Sequence, residues 1–279
     1  MQKPKLKTYK GSKIMKSITK NIWLVLIPIF LMGQENVSKK LIINALDITD
    51  LDLTVYWGKI QIESNQLNDS ISIDIVYDNS EKKELSKGLA RLQLQQKNST
   101  LEVDVPKPKG GVFESYDLKV KIPADINLKL KMQKGGDIFV KDIKGSIQID
   151  NRNGSTTVNG AWSWITINNF NGEINVSYKN ISDLKAISLI TFNGGINLKL
   201  PKTFDADVVL KTKKNGWIES AFPVISFDGT TYTKMKKQYS KTSNQWNGRI
   251  GKGGTKLIAI TNNGPIKILN SNDIEDVLK

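Results

Sequence analysis

Any chemistry in this chain must run on carboxylates, hydroxyls, cationic side chains and aromatic rings, because its 279 residues include no cysteine and no histidine. That excludes disulfides, thiol nucleophiles, Ser-His-Asp triads and zinc sites built from nitrogen and sulfur. Asp137, Asp142, Asp150, Glu173, Asp205 and Asp207 could supply the carboxylate pair of a glycosidase. Their spacing argues against it: Asp137 and Glu173 fall two turns of a coiled sheet apart, roughly 10 Å at about 4.8 Å per strand. A retaining pair must stand closer. Two calcium patterns are broken. The nonapeptide repeat needs Gly-Gly-x-Gly-x-Asp in succession, of which Gly135-Gly136-Asp137 is only a fragment, and Ile149 displaces the first EF-hand ligand before Asp150-Asn151-Arg152-Asn153-Gly154. Gly248-Arg249-Ile250-Gly251-Lys252-Gly253-Gly254-Thr255 looks like a phosphate loop. It carries Trp246 where that motif needs glycine and Gly253 where it needs Ser or Thr. No catalytic residue, cofactor or metal is expected.

Binding residues are easier to name. Trp164 and Trp217 each fall at an outward position just after a chain corner, where an indole can stack on a sugar ring or anchor a protein partner. Counting turns puts them on opposite sides of the coil, so they do not share one platform. Residues 227–246 form a polar excursion carrying Trp246, Lys234, Lys236 and Lys237 as further candidate contacts. Its aromatic residues Phe227, Tyr232 and Tyr239 offer the blander alternative that it folds back over one of the other tryptophans. The lysines could meet lipid headgroups or acidic glycan. No nucleic-acid motif accompanies them, and nucleic acid is not an expected partner.

These residues need strands to position them. From about residue 40, apolar and polar residues alternate, as in Leu118-Lys119-Val120-Lys121-Ile122 and Ile196-Asn197-Leu198-Lys199-Leu200, the pattern of strands buried on one face. Glycines punctuate them: Gly136, Gly145 and Gly154 are nine apart, Gly172 follows, and Gly195 and Gly216 come later, several preceded by asparagine. A meander of hairpins could produce this pattern. A β-solenoid of about 18–23 residues per turn explains it better, because residues 118–140 are repeated at 196–220. The reading is an all-β, single-stranded β-helix or solenoid. Its core is Ile138, Ile147, Ile149, Ile165, Ile167, Ile174, Val176, Ile196, Leu198, Leu200, Val208, Leu210 and Ile218.

The net charge of +14 divides unevenly, since the first 33 residues hold seven lysines and no acid. The apolar run from Ile22 to Met32 follows them, too short for a spanning helix of roughly 20 residues. Residues 1–33 read as a signal peptide, with Met15 an alternative start, and an uncleaved anchor is the other reading. Residues 34–44 lead into a domain over 45–270. A cap or tail follows at 271–279, where Asn272, Ile274, Glu275, Val277 and Leu278 have the spacing of a short helix that would close the coil.

The strings at 135–160, 192–224 and 247–268 resemble the bacterial β-strand-repeat family labelled "putative adhesin", a domain of unknown function. The resemblance covers about 45–270, is strongest from 118, and implies an exported β-solenoid with no catalytic residues. The excursion at 227–246 and Trp164 depart from that pattern. Together these features predict an exported, non-enzymatic binding, adhesion or structural module of the bacterial cell envelope, in the periplasm or at the surface. Its expected partner is a glycan or an envelope protein, with membrane contact only through the leader. The alternatives are a carbohydrate-active β-helix enzyme using carboxylates and a periplasmic scaffold for another envelope protein.

Overall fold

The structure, a computed structural model, describes residues 25–27, 37–65, 69–79, 92–105, 107, 114–181, 186–213, 216–232 and 243–271. Its regular elements are all strands, in two sheets that share one core. Alternation decides which side chains go in: in Ile147–Asn153, Ile147 and Ile149 are buried while Gln148 and Asp150 face outward. All thirteen core residues expected from the sequence are buried. Each contributes roughly 1.5–3 kcal/mol by leaving water.

The central coil is regular. Sheet II takes β8 (Asn127–Gly135), β10 (Ile147–Asn153), β12 (Ile165–Asn171) and β14 (Ala186–Asn193) in parallel. Sheet I takes β9 (Ile138–Lys141), β11 (Thr156–Ala161), β13 (Ile174–Tyr178) and β15 (Ile196–Leu200). The chain alternates between sheets, and Ile147, Ile165 and Ile187 stack in register one turn apart.

At the described corners from sheet II to sheet I a glycine sits against the rung before, Gly58 against the Tyr116 backbone and, from Gly136 onward, each against the preceding glycine. Gly172 has φ +123°, and a Cβ there would collide with the carbonyl oxygen of Gly154. The column comprises Gly58, Gly136, Gly154, Gly172, Gly194, Gly264 and Gly216. Gly194, not Gly195, therefore holds the repeat position, and Gly145 belongs to the opposite corner, against Ile126. The asparagines before these glycines form a ladder: the amide of Asn171 donates to Asn153 Oδ1 (2.6 Å), Asn193 to Asn171 (2.7 Å) and Asn263 to Asn193 (2.5 Å). Inside the corner, buried Thr191 and Thr261 hydroxyls donate to the carbonyls of Gly172 and Gly194.

Rung order departs from chain order at both ends. β6 (Thr100–Val105) in sheet II and β7 (Glu114–Ile122) in sheet I form the first parallel rung. The long β3 (Asp50–Ser64) inserts between that rung and the rung of β8 and β9, crossing from one sheet to the other at Gly58. At the far end β21 (Thr255–Asn263) and β22 (Ile266–Asn270) insert between the β14/β15 rung and that of β16 (Ala206–Lys213) and β17 (Ile218–Ser220). The chain thus strides over an inserted rung twice, from β7 to β8 and from β15 to β16. The internal repeat of 118–140 at 196–220 is the repeat of that stride.

Antiparallel strands close both ends. β4 (Ser70–Asn79), β2 (Val37–Asn44) and β1 (Val25–Ile27) follow β7 in sheet I, and β5 (Gln93–Lys97) follows β6 in sheet II. β20 (Ser243–Ile250), β18 (Val224–Ser226) and β19 (Thr231–Tyr232) extend sheet II beyond β16. Val25–Ile27 lie within the apolar run of the expected signal, and the rest of residues 1–36 lies outside the described residues. So does the expected cap at 271–279 beyond Ser271, whose amide donates to the Leu200 carbonyl (2.9 Å).

Candidate functional site

The outer face of sheet II is built from residues far apart in sequence. Pairing aligns Asp50 with Asn127, Leu128 with Ile147 and Ile147 with Ile165, so Asp50, Asn127, Ser146 and Trp164 follow one another along one column at the sheet margin. The next outward column carries Glu102, Asp52, Lys129 and Gln148. These side chains line an open groove of about 410 Å³, with the Trp164 indole, 37% exposed, at one end.

Hydrogen bonds between rungs fix its polar wall. Asn127 Nδ2 donates to Asp50 Oδ1 (3.1 Å), and Asn127 Oδ1 accepts from the Ser146 amide (2.9 Å) and hydroxyl (2.8 Å). Lys129 Nζ donates to Asp52 Oδ2 at 2.6 Å. That bond raises the lysine's pKa above its ordinary range, with the Asp52 charge adding to it. Glu102 accepts from Lys97 (2.8 Å) and Gln95 (2.6 Å), and the bond from Lys97 holds its carboxyl below the usual range. Asp104, one outward position further along β6, is pushed the other way by burial and then by the Asp52 charge. It lines a separate depression with Thr54, Gln93 and Gln95, on the side of Glu102 away from Trp164. The Gln148 amide engages no described protein group. The groove therefore offers an aromatic surface, fixed acceptors and a free amide, a set suited to hydroxyl-bearing ligands.

The other sequence-derived candidates are not brought to this groove. Trp217 sits half-buried at the opposite corner, with the Lys267 ammonium 6.0 Å from its ring centre. Trp246 is 2% exposed: it ends the inward column Ile149–Ile167–Leu189–Ala259–Leu210 and stacks on Tyr232, ring centres 4.9 Å apart. It is a core residue, not a surface contact, because inward parity on β20 buries it. Lys234, Lys236 and Lys237 lie outside the described residues. Asp137 and Glu173 do lie two rungs apart in one column, with Ser155 between them. The phosphate-loop look-alike is occupied by the protein itself: the Lys252 and Gly254 amides donate to Asp205 (2.9 Å) and Asp207 (3.2 Å).

Sequence reasoning missed Asp50, Asp52 and Glu102 at the groove, since only the insertion of β3 between β6 and β8 places them there. It also missed Trp162, as exposed as Trp164 and 5.8 Å from the Lys144 ammonium.

No protein-family model matches the chain, and no curated protein matches it. Solved structures similar to it include a putative cell adhesion protein from Clostridium sporogenes. That one is 13% identical over 84% of this chain and 99% of the other, with a TM-score of 0.45. A putative adhesin from Bacteroides fragilis is 10% identical over 85% and 98%, TM-score 0.33. Another from Parabacteroides distasonis is 11% identical over 85% and 98%, TM-score 0.24. The adhesin resemblance read from the sequence recurs among these structures.

Proposed function

We propose that this chain is an exported, non-enzymatic binding module of the bacterial cell envelope and that the groove beside Trp164 holds a saccharide. The observation that carries the reading is the pairing of a partly exposed indole with a wall of polar groups already fixed by inter-rung hydrogen bonds. A sugar stacks one face on an indole and spends its hydroxyls on carboxylate and amide oxygens. Because those acceptors are held in place, little side-chain freedom is lost on binding. Glycan-array screening, followed by titration of tryptophan fluorescence with the best ligand, tests this. Trp164→Ala should weaken binding about tenfold or more, and Asn127→Ala by several-fold. The absence of saccharide binding at millimolar concentration sinks the reading.

One observation favours an enzyme. Asp52 and Glu102 face each other on adjacent strands beside an exposed tryptophan. A glycosidase needs one of its two carboxyls protonated near neutral pH. Lys97 holds Glu102 low and Lys129 binds Asp52, so the groove suits ligand capture better than proton transfer. Release of reducing ends or unsaturated products from a bound polysaccharide, lost in Glu102→Gln, would reverse this preference.

A further inference from the structure

Further along sheet II the outer face changes from polar to apolar. Phe170 and Phe192 occupy outward positions on neighbouring rungs, 53% and 45% exposed, with rings stacked 5.2 Å apart and only 7° from parallel. Ile190 and Ile260 continue the strip, and Lys211 and Lys213 close its side to form an open groove of about 390 Å³. Beyond them, Ile225 on β18 and Phe227 in the turn that follows it are 45% and 66% exposed, with the Arg249 guanidinium 5.7 Å from the Phe227 ring. An apolar surface of this extent on an otherwise lysine- and asparagine-covered protein marks something that covers it.

We infer that this half of the face docks on an anionic lipid bilayer. Charge selects the partner. Outward from β14 onward, Lys211, Lys213, Arg249 and Lys256 outnumber two acids: Asp207, whose carboxylate already accepts the Gly254 amide, and Asp228 in the β18–β19 turn, whose carboxylate accepts the Thr230 amide. None of these four cations has a carboxylate partner among the described residues. Openness selects a surface over a single enclosed molecule: the side chains project from adjacent strands of one sheet, and the shallow groove between them opens along the whole face. Aromatic rings settle at the headgroup boundary, and lysines keep their stems on apolar surface while the ammonium reaches phosphate. The sequence predicts membrane contact only through the leader; this face adds a contact from the folded body. It is separate from the Trp164 groove and does not depend on saccharide binding there.

Co-sedimentation of the full chain with phosphatidylcholine vesicles, with and without about 30% phosphatidylglycerol, tests the inference. Binding should require the anionic lipid and fall steeply with salt. Each basic residue near such a surface contributes about fivefold in affinity, so Lys211→Glu with Lys213→Glu should weaken it at least 20-fold. Phe170→Ser with Phe192→Ser should weaken it at lower cost in salt dependence. Both pairs are outward, and circular dichroism and the thermal midpoint should match the parent. Binding driven by the apolar N-terminal run would persist unchanged in both variants, and that result overturns the inference. So does equal binding to phosphatidylcholine alone. Concentration-dependent self-association abolished by the Phe pair, without vesicle binding, would instead assign the face to a second copy. Vesicle binding gained only on deleting 272–279 would assign it to the chain's own tail.

Discussion

The two halves of sheet II's outer face stand on the same inward column of aliphatic side chains and differ completely in what they show to solvent. From β5 to β10 the outward residues are polar or charged, and two ion pairs cross between strands: Lys97 with Glu102 and Lys129 with Asp52. From β12 to the turn after β18 they include Phe170, Phe192, Ile190, Ile225 and Phe227, among polar residues and lysines that lack acidic partners among the described residues. A solenoid separates these roles cleanly. The inward positions and the corners hold the fold, so the outward positions of each rung are free to vary independently. Saccharide capture and surface docking can therefore share one sheet.

The strongest test of that separation sets two residues of one strand against each other. Ile167 and Phe170 lie three apart on β12, one fully buried and one 53% exposed. Ile167→Asp buries an unpaired carboxylate and should cost more than about 4 kcal/mol, enough to abolish soluble expression. Phe170→Asp should change stability by about 0.5 kcal/mol or less. Comparable losses from both, measured by denaturant titration, would show that the outer face is part of the core.

The corners should rank next. Gly172→Val forces a β-branched side chain into the left-handed region and against the Gly154 carbonyl. A loss of roughly 3 kcal/mol is expected, seen as a lower denaturation midpoint with an unchanged slope. The same change at Gly229, also at positive φ (+88°) but with nothing in the Cβ direction, keeps the backbone strain without the collision and should cost less.

Alternation and corner glycines made the inward set and the side length of nine residues legible from sequence. Outward aromatics were legible in principle, because Phe170 and Phe192 each stand two residues before a corner glycine and therefore share a column. The runs Leu189-Ile190 and Leu257-Ile258-Ala259-Ile260 hid the apolar strip, since consecutive apolar residues do not say which of them faces out. Rung order was not legible at all. Local alternation sets the face of a strand but not its neighbour, and Asp50 meets Asn127 only through an insertion across 77 residues. The groove therefore joins Trp164, identified from its corner, to acids that no local pattern could place beside it.

The ion pairs of the polar half give a smaller effect. Glu102, held low by Lys97, contributes stability that is present above the ordinary carboxylate range and lost as pH falls through its lowered folded value. Lys129, held high by Asp52, contributes below about pH 10 and loses that as pH rises through its own folded value. Lys129→Met should therefore destabilise between these limits by less than about 1 kcal/mol, because the pair is exposed. Lys211→Met, with no acidic partner among the described residues, should leave the thermal midpoint unchanged. Equal effects at the two lysines would erase the difference in pairing on which the two halves were distinguished.

Asp104 gives the smallest and most specific test. Burial and the Asp52 charge raise its carboxyl, so the folded state binds that proton more tightly than the unfolded chain. The ionised group thus costs stability at neutral pH, and the cost is relieved as pH falls through the folded value. Asp104→Asn removes the charge while keeping the shape. It should stabilise the protein by a few tenths of a kcal/mol at pH 7, since the site is largely solvated. The gain should vanish below about pH 4, where the native side chain is itself neutral. A gain that stays constant with pH would trace to the unfolded chain or to a new amide hydrogen bond. It would show that the acids of the polar half do not repel one another, and that their crowding on adjacent rungs is balanced by Lys97 and Lys129 alone.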